Sequence, residues 1–183
     1  GDVFFCNAVD NRLYRPRLDE SPVALTKASQ SVFADFVVDR PRNRLICVME
    51  DHSNGSEPVN SIVAIDLEDG TVSSFISGAD FYAFPKLSPD GGQVCWIEWD
   101  HPNMPWDGTR LSAAILDDTG SAIDPLIIAG GPSEAIFQPE WTETGSRRYA
   151  SDCAGYWTLY RLHSADTLSA VPGQFSLLPV ALG

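Results

Sequence analysis

The chain is poor in positive charge and in every motif that announces a metal, a cofactor or a hydrolytic centre. It has 12 Lys and Arg against 25 Asp and Glu, a formal charge of −13. Such a surface repels phosphate backbones and anionic lipid, so neither nucleic acid nor membrane is an expected partner. No run of about 18 apolar residues exists, the length a spanning helix needs. No basic stretch followed by an apolar one opens the chain, so no signal peptide is visible and a cytoplasmic location is expected. None of the four cysteines, Cys6, Cys47, Cys95 and Cys153, forms a Cys-x-x-Cys pair, and no His lies at metal-ligand spacing from them. Three stand inside apolar runs and read as reduced thiols acting as small hydrophobes. No cofactor is expected.

What is present points to strands. Hydrophobic residues make up 44% of 183 residues, enough for one domain with a core. Thirteen prolines and fourteen glycines cut the chain into short segments, with many turns and few long helices. The run SIVAIDL at 61–67 is followed by Glu68, Asp69 and Gly70, then by TVSSFI at 71–76, which reads as two strands joined by a tight Asp-Gly turn. Residues 111–116, 117–120 and 125–129 repeat that plan.

A longer repeat organises these hairpins. FPKLSPDG at 84–91 is matched by QPEWTETG at 138–145, and a weaker copy runs through DFVVD at 35–39 into a strand at 44–49. Units of roughly 40–50 residues with several strands each are the signature of propeller blades. The expected fold is therefore all-β: a single β-propeller-like domain of about four four-stranded antiparallel blades, spanning roughly 2–26, 31–77, 80–130 and 134–172, with a tail at 173–183. The second strand of the central unit, VCWI at 94–97, is apolar on both faces, as a sheet packed between two neighbours requires. The N-terminal unit lacks a first strand. FSLLPVA at 175–181 is one candidate to supply it, although Pro179 disfavours a long central strand.

Four segments carry a family likeness: FPKLSPDG at 84–91, WDHPNMPWDGT at 99–109, IFQPEW at 136–141 and GYWTLYR at 155–161. They resemble the β-propeller of prolyl oligopeptidase family serine peptidases, of the acylaminoacyl-peptidase or dipeptidyl-aminopeptidase type. RLYR at 12–15 and EPVN at 57–60 fit the same pattern. The chain departs from it in the TETG turn at 142–145, in Arg147 and Arg148 where the family has apolar strand residues, and in everything after Leu162. The resemblance implies a propeller that covers an α/β-hydrolase domain and filters peptides, and only propeller-like sequence is present here.

Catalytic candidates are weak. The nearest approach to a nucleophile elbow, Gly131, Ser133 and Ala135, ends in alanine and runs into Ile136, Phe137, Gln138 and Pro139, which forbid a useful helix. Ser133 therefore reads as a loop residue and the chain as a non-enzyme. His52 follows Asp51 and His101 follows Asp100, each after a second strand. An adjacent Asp can orient an imidazole, but the repeat itself explains the coincidence. The acidic clusters at Asp66, Glu68 and Asp69 and at Asp117 and Asp118 fall on hairpin turns, where Asp is favoured, and lack calcium-loop spacing. The candidate contact loop is 99–109, with Trp99, His101, Met104, Trp106 and Asp107 stiffened by two prolines. The competing reading has Met104 and Trp106 capping the blade's own core. The functional expectations are a binding or gating module inactive alone, a peptidase fragment or subunit whose hydrolase domain lies elsewhere, or an interaction protein whose ring closes as a homodimer. A peptide or an α/β-hydrolase domain is the expected partner class.

Overall fold

The computed structural model describes residues 3–16, 20–55, 57–162 and 168–174. Strands β1 (Phe5–Cys6), β2 (Leu13–Arg15) and β3 (Val23–Ala24) form a three-stranded sheet. Three four-stranded sheets follow. The second blade is β4 (Ser31–Asp39), β5 (Arg44–Asp51), β6 (Val59–Asp66) and β7 (Val72–Ile76). The third is β8 (Phe81–Leu87), β9 (Gln93–Trp99), β10 (Arg110–Leu116) and β11 (Ala122–Gly130). The fourth is β12 (Ile136–Trp141), β13 (Arg147–Ser151), β14 (Thr158–Leu162) and β15 (Leu168–Gln174). All pairings are antiparallel between sequence neighbours, so the chain is an all-β propeller built blade by blade. His163 and the 175–181 segment lie outside the described residues.

The second strands explain why the blades stack. Along β5, Leu45 and Cys47 pack toward the first blade with Leu13 and Phe33, whereas Ile46 and Val48 pack toward the third with Val94 and Trp96. Along β9 the alternation continues: Val94 and Trp96 face back, while Cys95 and Ile97 face the fourth blade with Ile136 and Tyr149. A strand's side chains alternate in direction, so a run apolar at every position feeds two cores. Burial pushes the Cys95 thiol up to about 12 and raises that of Cys47 as well. Cys6 is half-buried and Cys153 is exposed, so the small-hydrophobe reading fits Cys47 and Cys95 and does not extend to Cys153.

Each first strand carries a bulge at a residue held in the left-handed region: Asp35 (φ 55°), Phe84 (φ 53°) and Gln138 (φ 49°). The ladder slips at these points, between Ala34 and Val37, Ala83 and Lys86, and Phe137 and Glu140. A bulge leaves one residue out of the pairing and bends the strand. The amide of Phe84, within its bulge, donates to the Asp35 carboxylate of the preceding blade at 2.9 Å. The second blade has no Asp-Gly turn between its first two strands. A 3-10 turn at Arg40–Arg42 ends on Asn43, whose φ of 49° provides the left-handed position that Gly91 and Gly145 provide later.

Arginines bolt the blades together at the turn end. Fully buried Asp39 accepts from Arg42 at 3.3 Å and from Arg44 Nε at 2.8 Å. Both arginines reach the third blade, Arg42 to the Gly91 carbonyl and Arg44 to that of Gly120. Arg147, which stands where the family has an apolar residue, stacks 4.9 Å over Trp141 and donates to Gln93 of the third blade at 2.9 Å.

Two measurements follow. A Cβ on Gly130 (φ 86°) would sit 2.1 Å from the Thr109 carbonyl oxygen, whereas one on Gly155 (φ 81°) meets nothing within 4 Å. Gly155→Ala is expected to cost about 1–2 kcal/mol in urea unfolding, the left-handed penalty alone, and Gly130→Ala clearly more. In thiol labelling, Cys153 is expected to react in the native protein, with Cys47 and Cys95 reacting only on unfolding.

Candidate functional site

Antiparallel order puts the β5–β6, β9–β10 and β13–β14 loops at one end of the sheets, together with the connectors between blades. The 99–109 loop is the longest described there. Its base is set by Thr109, whose Oγ1 accepts from the Ile136 amide at 2.6 Å and donates to the Ile136 carbonyl at 3.2 Å. Asn103 Nδ2 donates to the Pro132 carbonyl at 3.1 Å, and a Cβ on Gly108 would sit 2.5 Å from that same oxygen. Glycine is therefore required where the loop crosses the connector to the fourth blade.

The predicted contact residues separate into two kinds. Trp99 is half-buried and stacks on Phe81 with ring centroids 5.3 Å apart, so it belongs to the packing of its blade. Asp107 closes the loop internally: its Oδ2 accepts from the Met104 amide at 3.0 Å, and its own amide donates to the Met104 carbonyl at 2.9 Å. Met104 and Trp106 are displayed, with 47% and 64% of their surface exposed. Tyr156, on the β13–β14 loop, is likewise 53% exposed at this end.

The histidines find different partners from those their neighbours in sequence suggest. His101 Nδ1 lies 3.2 Å from Asp80 and Nε2 lies 3.4 Å from Glu57; no hydrogen bond joins its ring to Asp100. Asp100 instead accepts from the Asp80 amide at 2.9 Å and from Arg110 at 2.7 Å. Those two donors, the amide first, hold its carboxyl below the usual range. Arg110 also reaches Glu98, which takes the Trp96 indole N–H at 2.7 Å and the Ser112 hydroxyl at 3.2 Å. His52 pairs with Glu50 at 3.4 Å, while Asp51 caps the Ser53 amide. Hollows of about 160 and 270 Å³ lie on either side of His101.

Ser133 sits in the turn between β11 and β12, bracketed by a bridge between Gly131 and Glu134. The neighbouring Glu134 carboxylate accepts from Ser151 at 2.6 Å. In the acidic hairpin turns, Asp66 accepts from the Glu68 and Asp69 amides and Asp117 from those of Thr119 and Ser121, so both carboxylates brace main chain. Among the described residues, no three His, Cys, Asp or Glu side chains are grouped to hold a metal ion.

With its carboxyl depressed, Asp100 contributes stability that is full above the unfolded-state value of about 3.9 and is lost as pH falls through the lowered value. Asp100→Asn is expected to melt lower than wild type at pH 7 and to show a shallower acid limb in calorimetry. Trp106→Ala, at an exposed position, is expected to change stability by less than about 0.5 kcal/mol.

No family model matches the chain, and no curated protein matches it. Solved structures do. A puromycin-hydrolyzing peptidase of Mycobacterium tuberculosis superposes with a TM-score of 0.85 at 32% identity over 94% of this chain. A puromycin hydrolase gives 0.82 at 32% identity over 92%. The chain covers only 29% and 28% of those two proteins. An oligogalacturonate lyase of Vibrio parahaemolyticus, 13% identical with a TM-score of 0.68, shares the fold alone. The match reaches the propeller part of the peptidases and leaves their catalytic domain outside it. The chain is a β-propeller homologous to the propeller portion of prolyl oligopeptidase-family peptidases.

Proposed function

We propose that this chain is a non-catalytic propeller module whose loop end docks against an α/β-hydrolase domain or a peptide. The observation that carries the reading is the display of Met104 and Trp106 on a loop fastened at its base by Thr109, Asn103 and Asp107. An exposed tryptophan on a preorganised loop loses little conformational freedom on binding, which is why such residues dominate contact energetics. Acidic groups at the same end of the sheets, among them Glu57 and Asp80 beside His101, favour a partner with positive charge at the rim.

The test is titration of the chain with the isolated hydrolase domain of a puromycin-hydrolyzing peptidase, followed by calorimetry. Saturable binding that weakens at least tenfold, about 1.4 kcal/mol, in a Met104→Ala, Trp106→Ala double variant is expected. Binding indifferent to that variant, or no binding, would overturn the reading. The chain alone is expected to leave puromycin intact.

The second reading is that the chain is part of a larger peptidase, and the 29% coverage of the relative favours it. A separate reading is a free-standing interaction protein whose exposed blade edges are covered by a second copy that completes the ring. Light scattering after size exclusion is expected to give a dimer if two arcs complete one ring. A monomer near 19.9 kDa would sink shared closure.

A further inference from the structure

His101 lies between loops that belong to different blades. Its Nδ1 is 3.2 Å from Asp80, in the connector between β7 and β8, and its Nε2 is 3.4 Å from Glu57, in the β5–β6 loop. The Phe81 ring covers one side at a centroid distance of 4.9 Å. The remaining charged groups near it are already engaged: Asp100 by the Asp80 amide and Arg110, and Asp107 by the Met104 amide. Arg110, which shares a hollow with His101, bonds Asp100 and Glu98.

The two ring contacts respond differently to a proton. A neutral imidazole has one N–H and one lone pair, so it satisfies one carboxylate and sets a lone pair against the other. An imidazolium keeps its hydrogen bond to Asp80 and, as a cation, attracts Glu57, whose 3.4 Å approach is an ion pair without a hydrogen bond. Asp80 is held independently, because the His101 amide donates to the same Oδ2 at 2.9 Å. Glu57 is 72% exposed at its side chain, and His101 is its one polar tie among the described contacts.

We propose that His101 is a proton-operated clasp between the second and third blades. Protonated, it draws Glu57 over the hollow of about 160 Å³ that both residues line with Val59, Asp80 and Phe81. On losing the proton it keeps Asp80 and releases Glu57, and the hollow opens. Histidine suits such a switch because one proton changes a ring nitrogen from acceptor to donor. The partly exposed ion pair also makes closure weaker at high salt. The clasp stands on these contacts alone, whether or not the loop end binds a partner.

Amide ¹⁵N relaxation on the whole chain tests it. At pH 5.5 the Glu57 amide is expected to be rigid, with an order parameter near ~0.85, and at pH 8 to fall toward ~0.6, while the amides of His101 and of Val59, which is paired in the β6 ladder, stay rigid at both. His101→Gln is expected to abolish the response. Glu57→Ala, at an exposed position and so expected to fold normally, should leave the amide at position 57 equally mobile at both pH values. A Glu57 amide equally ordered at both pH values in wild type would overturn the proposal. So would a response that survives in either variant, or one that frees the His101 amide as well.

Discussion

Everything in this fold depends on second strands that are apolar at consecutive positions. In β5, Leu45 and Cys47 serve one interface and Ile46 and Val48 the next; in β9, Val94 and Trp96 and then Cys95 and Ile97 do the same. A sheet with one wet face could not use such a run. Because both faces are spoken for, each inner blade is held in register with two others, and the loop end inherits its geometry from that stacking. The 99–109 loop is placed by β9 and β10 below it and by the connector to β12 beside it, so its exposed side chains are presented by parts that cannot move independently.

Charge is distributed according to the same logic. The chain is short of cations, and several of those it has work between blades: Arg42 and Arg44 around buried Asp39, and Arg147 between Trp141 and Gln93. A buried carboxylate is costly unless its oxygens are satisfied, and Asp39 meets two guanidinium groups. The loop end keeps mostly acidic groups, many of which brace main-chain amides as Asp51, Asp100 and Asp107 do. The acidity of that end thus has a structural component as well as an electrostatic one.

Fold class and family likeness were legible because both rest on short-range pattern: apolar runs bounded by turn residues, and segments such as the one at 99–109. What resisted reading was long-range or conformational. Nothing in the letters marks Phe84 as left-handed, since a bulky aromatic is a poor candidate for that conformation and neighbouring strands impose it. The adjacency of Asp100 to His101 and of Asp51 to His52 reflects the repeat alone: those carboxylates are turned elsewhere, and Asp80 and Glu57 reach His101 from other loops. Trp99, Met104 and Trp106 looked alike in sequence, and only packing against Phe81 separates the first from the other two. Arg147 read as a misfit in a strand; its stacking on Trp141 needs a residue six positions away to be turned toward it by the hairpin.

The three separate cores have a consequence for how the molecule comes apart. Each lies between one pair of neighbouring blades, and none spans three. Free energy is then stored in the junctions between blades, as in a linear array with nearest-neighbour coupling. Detaching an end blade breaks one junction, while melting an inner blade breaks two. Loosening therefore begins at the terminal blades and travels inward, and the β9–β10 loop, on an inner blade, is among the last features of the loop end to lose its support.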